Sequence, residues 1–414
     1  YNPLVLILQT IENIFPYFFE SLCYNNNMIN LKDHGIDMWD DKTIASFRRT
    51  LLNWYDQEKR DLPWRRTKNP YHIWVSEIML QQTQVVTVIP YYERFLKWFP
   101  TIDKLAKADE ERLLKAWEGL GYYSRVRNMQ KAAQQIMADF DGVFPSSHQD
   151  ISKLKGIGPY TAGAIASIAF DLPEPAVDGN VMRVMARLFE VNYDIGDPKN
   201  RKIFQALMEV LIDPDRPGDF NQALMDLGTD IESAKNPRPD ESPIRFFCAA
   251  YLHGTYDKYP IKEPKKKPRP IEVQAFVIEN TEGALLLEKN TQGRLLGGFW
   301  SFPIMETSFI SQQLDLFEDK AQVLERVSQI SEFEKSYALK PKWTERVFPM
   351  VKHTFSHQKW TIALTEGLIA QQQLPKEKEL AWVKLEDMTN YPMATPQKKM
   401  LDAYLKGKGS GYSS

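Results

Sequence analysis

The sequence predicts two domains in series, an all-α domain followed by a mixed α+β domain. Three observations carry this. A chain of 414 residues is longer than one hydrophobic core ordinarily serves. Apolar residues recur at helical spacing from about residue 42 to 256, with no strand alternation of any length between them. The segment IKEPKKKPRP, with three prolines and five basic residues, cannot build a core, and short alternating apolar runs follow it. The predicted boundaries are an N-terminal extension at 1–40, a helical domain at 41–260, a linker at 261–270, an α+β domain at 271–405 and a flexible tail at 406–414.

The helical elements follow from their spacing. Ile44, Phe47, Leu51, Trp54 and Tyr55 form one stripe. Asn69-Pro70 reads as an N-cap and first helical residue for YHIWVSEIMLQQT. Further helices are predicted at about 101–117, 124–139, 159–170, 179–191, 200–213 and 219–229. After the linker, IEVQAFVIEN and ALLLEKN read as strands about a Thr281-Glu282-Gly283 turn. GGFWSFP, VFPMVKHTF and WTIALTEGLI read as more strands, and KAQVLERVSQI and PQKKMLDAYL as helices.

Composition narrows the function classes. A net charge of −2 does not by itself mark a nucleic-acid binder, so local basic stretches such as the linker must carry any such role. Two cysteines, Cys23 and Cys248, are too few for a disulfide framework or a protein-only metal site, and point to a reducing cytosol. No apolar run reaches the roughly 18 residues of a membrane span. The first stretch lacks the basic start of a signal peptide, and Met28 or Met38 would serve as a start codon.

Three motifs carry chemistry. In LKGIGPYTAGAI (154–165), two glycines flank one apolar residue and a helix starts at Pro159, which aims backbone N–H groups at a phosphate. In PAVDGNVMRVMARLF (175–189), Asp178 sits at a helix start, where an N-cap role alone would explain it and where the N-terminus favours the ionised form. In WVSEIMLQQTQV (74–85), Glu77 shares a helix face with Ile73 and Leu80. A carboxylate there either lies at a packing edge or is buried with its protonated form favoured. One carboxyl biased to stay protonated and one biased to ionise is the division of labour glycoside cleavage requires.

The hairpin resembles the helix-hairpin-helix element of DNA repair glycosylases, and hairpin plus downstream aspartate resembles the endonuclease III superfamily. With WVSEIMLQQTQV and GLGYYSRVRNM (119–129) in order, the chain is similar to the adenine DNA glycosylase (MutY) family over residues 42–258. The resemblance implies excision of adenine mispaired with 8-oxoguanine. It implies Glu77 as general acid, Asp178 as second carboxylate, and Tyr160 and Asn180 as residues that orient that aspartate. It places Arg65 and Gln222 at the adenine pocket, Gln82 and Tyr122 in the base stack, and Gly156, Gly158 and Thr161 on DNA. Bifunctional relatives carry a lysine where this chain has Tyr160, so a monofunctional enzyme is expected.

GRLLGGFWSFP (293–303) resembles the start of a MutT-type Nudix fold, so the α+β domain is expected to be Nudix-like. PIMETSFISQQLDLFEDK lacks the glutamate-rich box of a Nudix hydrolase, so no pyrophosphatase activity is expected. HTFSHQKW resembles a Phe-Ser-His loop that reads 8-oxoguanine, implying that role for Phe355, Ser356 and His357. Most of the family carries a [4Fe–4S] cluster on cysteines spaced C-x6-C-x2-C-x5-C. Those positions here are Glu232, Pro239, Ser242 and Cys248, so no cluster, metal or other cofactor is expected. Instead Ile244, Phe246 and Phe247 should pack on the preceding helix, while Lys235, Arg238 and Arg245 meet phosphate or pair with Asp240 and Glu241. The expected partner is double-stranded DNA with A:8-oxoguanine or A:G mispairs. A monomer in the bacterial cytoplasm, held at the nucleoid through DNA and on no membrane, is also expected. Another helix-hairpin-helix glycosylase lacks the Phe-Ser-His loop, and a non-catalytic lesion binder would lack one of the two carboxyls.

Overall fold

A computed structural model describes residues 29–264, 267–291, 295–307, 318–370 and 373–409, with the side chains of 318–326 also outside the description. Cys23, Met28 and most of the stretch expected to lack a Nudix box fall outside it.

Fourteen α-helices occur among the described residues. They are α1 (Asp41–Glu58), α2 (Pro70–Leu80), α3 (Val85–Trp98), α4 (Ile102–Ala106), α5 (Glu110–Trp117), α6 (Ser124–Asp139), α7 (His148–Lys153), α8 (Pro159–Phe170), α9 (Gly179–Leu188), α10 (Arg201–Leu211), α11 (Pro217–Asp230), α12 (Ala249–Leu252), α13 (Glu318–Tyr337) and α14 (Thr395–Gly409). The eight strands, all after the linker, are β1 (Arg269–Asn280), β2 (Leu285–Lys289), β3 (Trp300–Ser301), β4 (Ile304–Glu306), β5 (Lys342–Trp343), β6 (Val351–Thr354), β7 (Gln358–Ile369) and β8 (Leu380–Val383). The chain packs as two units. One runs to Gln81 and resumes at Val143–Pro264; the other joins Gln82–Gly142 to everything from Lys265 onward. The division therefore does not follow the expected boundary at 260.

In the first unit, side-chain caps start α1 from Asp40, α2 from Asn69 and α9 from Asp178, each carboxylate or amide oxygen taking N–H groups the first turn leaves unpaired. The core joins α1, α9, α10 and α11 through Phe47, Leu51, Val184, Phe204, Phe220 and Leu224. Residues 29–40 are part of it. Leu31 and Ile36 are buried there, and Trp39 lies 5.2 Å from the Phe47 ring and 4.5 Å from Phe189. Residues 29–40 of the segment expected as an N-terminal extension therefore pack into the helical core. Helix α8 crosses two neighbours at backbone contact. A Cβ on Gly163 would meet the Pro175 carbonyl oxygen at 2.0 Å, and one on Gly218 would meet that of Ser167 at 2.7 Å.

In the second unit, α4 and α6 pack together, as do α3 and α5. The predicted helix at 101–117 is two helices, broken where Asp109 caps α5. Helix α3 was not predicted, because Pro90 interrupts its pattern; within the helix it removes one backbone donor. The sheet follows the order β3-β2-β1-β7-β5, with β4 on β1, β6 on β7 and β8 on β2. β1 and β7 run parallel in register over twelve pairs, from Arg269↔Gln358 to Asn280↔Ile369. Both strands bury residues on each face, which is why they read as near-continuous apolar runs. β4, β5 and β8, of two to four residues, are too short to leave a period in the sequence. The final helix reaches Gly409, past the residue 406 where a flexible tail was expected, because Tyr404 and Gly407 pack inward.

Candidate active site

The candidate catalytic residues of the first unit come from three elements. Helix α2 places Glu77 among Ile73, Trp74 and Ile78, all buried. The carboxyl is itself buried and accepts a hydrogen bond of 2.7 Å from the Tyr160 hydroxyl on α8. Burial pushes its pKa up to about 7, the nearby Asp178 charge adds to the rise, and the Tyr160 hydroxyl and Arg65 pull the other way. Of the two readings open from sequence, the buried one holds.

Asp178 caps α9. Its Oδ1 accepts the backbone N–H groups of Asn180 and Val181, each at 2.8 Å, and its Oδ2 accepts the Asn180 side-chain amide at 2.9 Å. The expectation that the helix N-terminus would hold its pKa down needs correction. Burial raises it overall, against the lowering effects of the two backbone donors, the Arg183 charge and the Asn180 amide. The contrast with Glu77 persists in the donors, since three hydrogen bonds serve the ionised form of Asp178 and one serves that of Glu77. A second correction concerns Tyr160, expected to hold the aspartate. Its hydroxyl donates to Glu77, while Asn180 alone of the two bonds Asp178.

Arg65, in the Pro63–Arg65 turn, lies beside Gln222 of α11, with Nε donating to Gln222 Oε1 at 3.0 Å. The structure thus joins two residues 157 positions apart. The hairpin follows its motif. Gly156 takes φ 80°, a conformation that favours glycine, and Gly158 caps α8 in extended backbone. Thr161 is buried and accepts from the Gln81 amide at 3.3 Å, so its side chain is not open to DNA. What the first turn of α8 offers a phosphate is its backbone N–H groups.

In the second unit, the loop at Phe355–His357 is the tip of the β6–β7 hairpin, closed by Phe355 N–H donating to Gln358 O at 2.7 Å. Phe355 stacks edge-on against His353 and Trp360, at 4.5 and 4.9 Å, and is thereby held within the hairpin. The Ser356 hydroxyl lies 2.7 Å from that of Tyr122, and both residues line a pocket of about 630 Å³ with His357, His353, Arg127 and Thr395. Tyr122 is exposed, and both Tyr122 (φ 48°) and Gln82 (φ 59°) hold left-handed backbone, which costs about 1–3 kcal/mol in a residue other than glycine.

Comparison with known proteins agrees with both halves. Residues 75–212 match the family model for the HhH-GPD superfamily base excision DNA repair protein, and residues 274–403 that of the NUDIX domain. The adenine DNA glycosylase of Rattus norvegicus is 34% identical over 87% of this chain and 78% of its own. That of Homo sapiens is 33% identical over 87% and 74%, and that of Schizosaccharomyces pombe 29% over 87% and 90%. The chain belongs to the adenine DNA glycosylase family. It is a two-domain base excision repair protein with a helical glycosylase domain and a Nudix-like domain. No described helix is long and apolar enough to cross a membrane.

Family membership makes the four cluster positions a question of fit. Glu232 is buried, and its carboxylate takes Arg187 Nη1 at 3.0 Å and a hydrogen bond from the Tyr256 hydroxyl. Pro239 has no donor atom, and the Ser242 hydroxyl is buried without a hydrogen-bond partner. The Cys248 thiol, pushed up to about 11 by burial, faces the Arg187 carbonyl oxygen at 3.4 Å. One thiol, held in its protonated form, does not suit a four-thiolate cluster. The loop is instead tied down by Arg187, which also donates to the backbone oxygens of Glu232 and Tyr259 and lies 4.2 Å from the Tyr256 ring centre. Ile244 and Phe247 pack inward as expected, but Phe246 is exposed beneath the Arg245 guanidinium. Arg238 pairs with Glu241 at 2.7 Å.

Two residues that hydrogen-bond members of the site escaped the sequence reading. Arg183 donates to Asn180 Oδ1 at 2.8 Å and so fixes which way that amide points; it sits inside an amphipathic helix pattern where basic residues usually face solvent. Asp226 is buried between Arg60 and Arg65. The one available signal was an acidic residue in the apolar run ALMDLG, one turn beyond Gln222.

Proposed function

We propose that this chain excises adenine paired with 8-oxoguanine by hydrolysis of the N-glycosidic bond. Glu77 is the general acid and Asp178 the carboxylate that stabilises the developing cation. The observation that carries the reading is Glu77, a buried carboxyl held near neutral pH beside a second carboxyl with three hydrogen-bond donors. Adenine is a poor leaving group until protonated. Glu77 gives its proton to N7 of the flipped base and the C1′–N9 bond breaks with oxocarbenium character. Adenine departs as that bond breaks, the charge of Asp178 stabilises the cation, and water then adds at C1′ and gives its proton back to the Glu77 carboxylate, leaving an abasic site. The hairpin offers a tyrosine where a Schiff-base nucleophile would need a lysine, so strand cleavage is not part of the reaction.

Ser356 and His357, beside Tyr122, form the reader of the opposing 8-oxoguanine, and the pocket is of a size that holds a small ligand or base. The protein works without an iron–sulfur cluster, which the chemistry of Glu232, Pro239, Ser242 and Cys248 supports. Single-turnover excision on A:8-oxoguanine and A:G duplexes tests the reading, with products run before and after alkali. Excision confined to wild type, absent in Glu77→Gln, with breaks only after alkali, is expected. Tight binding without excision by wild type would make it a lesion-binding scaffold. Ser356→Ala should reduce the preference for 8-oxoguanine over guanine while A:G excision changes little. An absorbance band near about 400 nm with stoichiometric iron would refute the cofactor assignment.

A further inference from the structure

Asp226 is buried on α11, one turn beyond Gln222. Its Oδ2 takes Arg65 Nη1 at 2.7 Å, and its Oδ1 is bonded by Arg60. Arg65 itself is largely buried, donates through Nε to Gln222, and lies 5.5 Å from the Tyr55 ring centre. A buried guanidinium needs both its charge and its donors met. Asp226 meets the charge, and the same bond sets the plane of the guanidinium and so the direction of its bond to Gln222. No hydrogen bond joins Asp226 to Glu77 or Asp178 among the described residues; its bonded link toward Glu77 is Arg65.

We propose that Asp226 is a positioning residue for adenine excision: it locks Arg65 against Gln222 and offsets the guanidinium charge that would otherwise act on Glu77. The inference rests on Glu77 being the acid. The charged and titratable groups that act on Glu77 are the Tyr160 hydroxyl from α8, Asp178 at the start of α9 and Arg65 from the 63–65 turn. Of these, Arg65 is the one cation, and it favours the ionised, inactive form. Removing the Asp226 charge leaves that cation without its counter-charge, so Glu77 loses its proton at lower pH. Removing the Arg65 charge does the reverse.

The test is the pH dependence of single-turnover kcat/KM on an A:8-oxoguanine duplex, read on the limb where activity falls as pH rises. Asp226→Asn should move this limb to lower pH and cut the rate at neutral pH roughly tenfold or more, with duplex affinity changing far less. Arg65→Gln should move it to higher pH. A role confined to folding does not shift two limbs in opposite directions. If Asp226→Asn fails to fold, Asp226→Glu carries the test, since it keeps the charge and should keep the limb in place while lowering the rate. An unmoved limb in Asp226→Asn, a limb displaced by Asp226→Glu, or equal losses of affinity and rate would overturn the proposal. Glu77→Gln separates this from the underlying reading, because full activity in that variant would remove the acid itself, whatever the Asp226 limbs do.

Discussion

Glu77 and Tyr160 set a pH dependence with a definite sign. On the proposed mechanism Glu77 acts in its protonated form, so excision by the free enzyme should be lost as pH rises through about 7. The Tyr160 hydrogen bond favours the ionised carboxyl, so Tyr160→Phe should move that loss to higher pH. The same variant loosens the acid, and a rate measured below the limb should fall; a limb that stays put or moves down would contradict the assignment. At this scale local motifs singled out Glu77 and Asp178, and the family resemblance added Asn180 and Arg65. They could not show that Tyr160 bonds Glu77 across 83 positions, nor that desolvation of the half-buried Asp178 raises its pKa. Both depend on what the fold packs around the residue, and desolvation has no signature in a helix-start motif.

Helix α8 and the 231–248 loop show what elements add. α8 approaches the chain before α9 so closely that Gly163→Ala must displace the Pro175 backbone, which leads directly into the Asp178 cap. That substitution should cost about 1–3 kcal/mol or more by overpacking, seen as a lowered Tm, with excision falling alongside it. In the loop, Glu232→Gln leaves Arg187 buried without its counter-charge. Breaking such a pair costs about 3–5 kcal/mol, and chemical denaturation should show a loss of that order; an unchanged midpoint would mean that the pair does not hold the loop. Arg187 and Arg183 are one turn apart on α9, and both donate to the Glu232 backbone oxygen, so loosening the loop also loosens Arg183 on Asn180. Periodicity located α8, α9 and α11 well. It failed at α3 and at β4, β5 and β8, where a proline or a two-residue to four-residue length leaves no period to detect.

The second unit joins Gln82–Gly142 to the Nudix-like domain through specific contacts. The Tyr123 and Phe299 rings lie 4.1 Å apart, Glu118 pairs with Lys398 and accepts from the Met393 backbone, and Lys289 pairs with Glu111. Truncation at the linker should therefore lower hydrogen-exchange protection within 82–142 more than within 143–264. Equal protection across both would show that 82–142 is held by other means. The grouping also puts the exposed Tyr122 beside Ser356 within one body.

The sequence by itself determined the family, the two fold types and the motif residues, because hydrophobic period, caps, turn glycines and motif spacing are local properties. The absence of three of four cluster cysteines was legible for the same reason. Only the tertiary structure decided which groups are desolvated and which are paired. It placed Tyr160 on Glu77, left Asp178 half-buried, buried Asp226, closed the loop with Arg187 and Glu232, and assigned 82–142 to the second unit. Those outcomes depend on burial and on contacts between residues far apart in the chain, and the energy of a charge is set by its surroundings rather than by its neighbours in sequence.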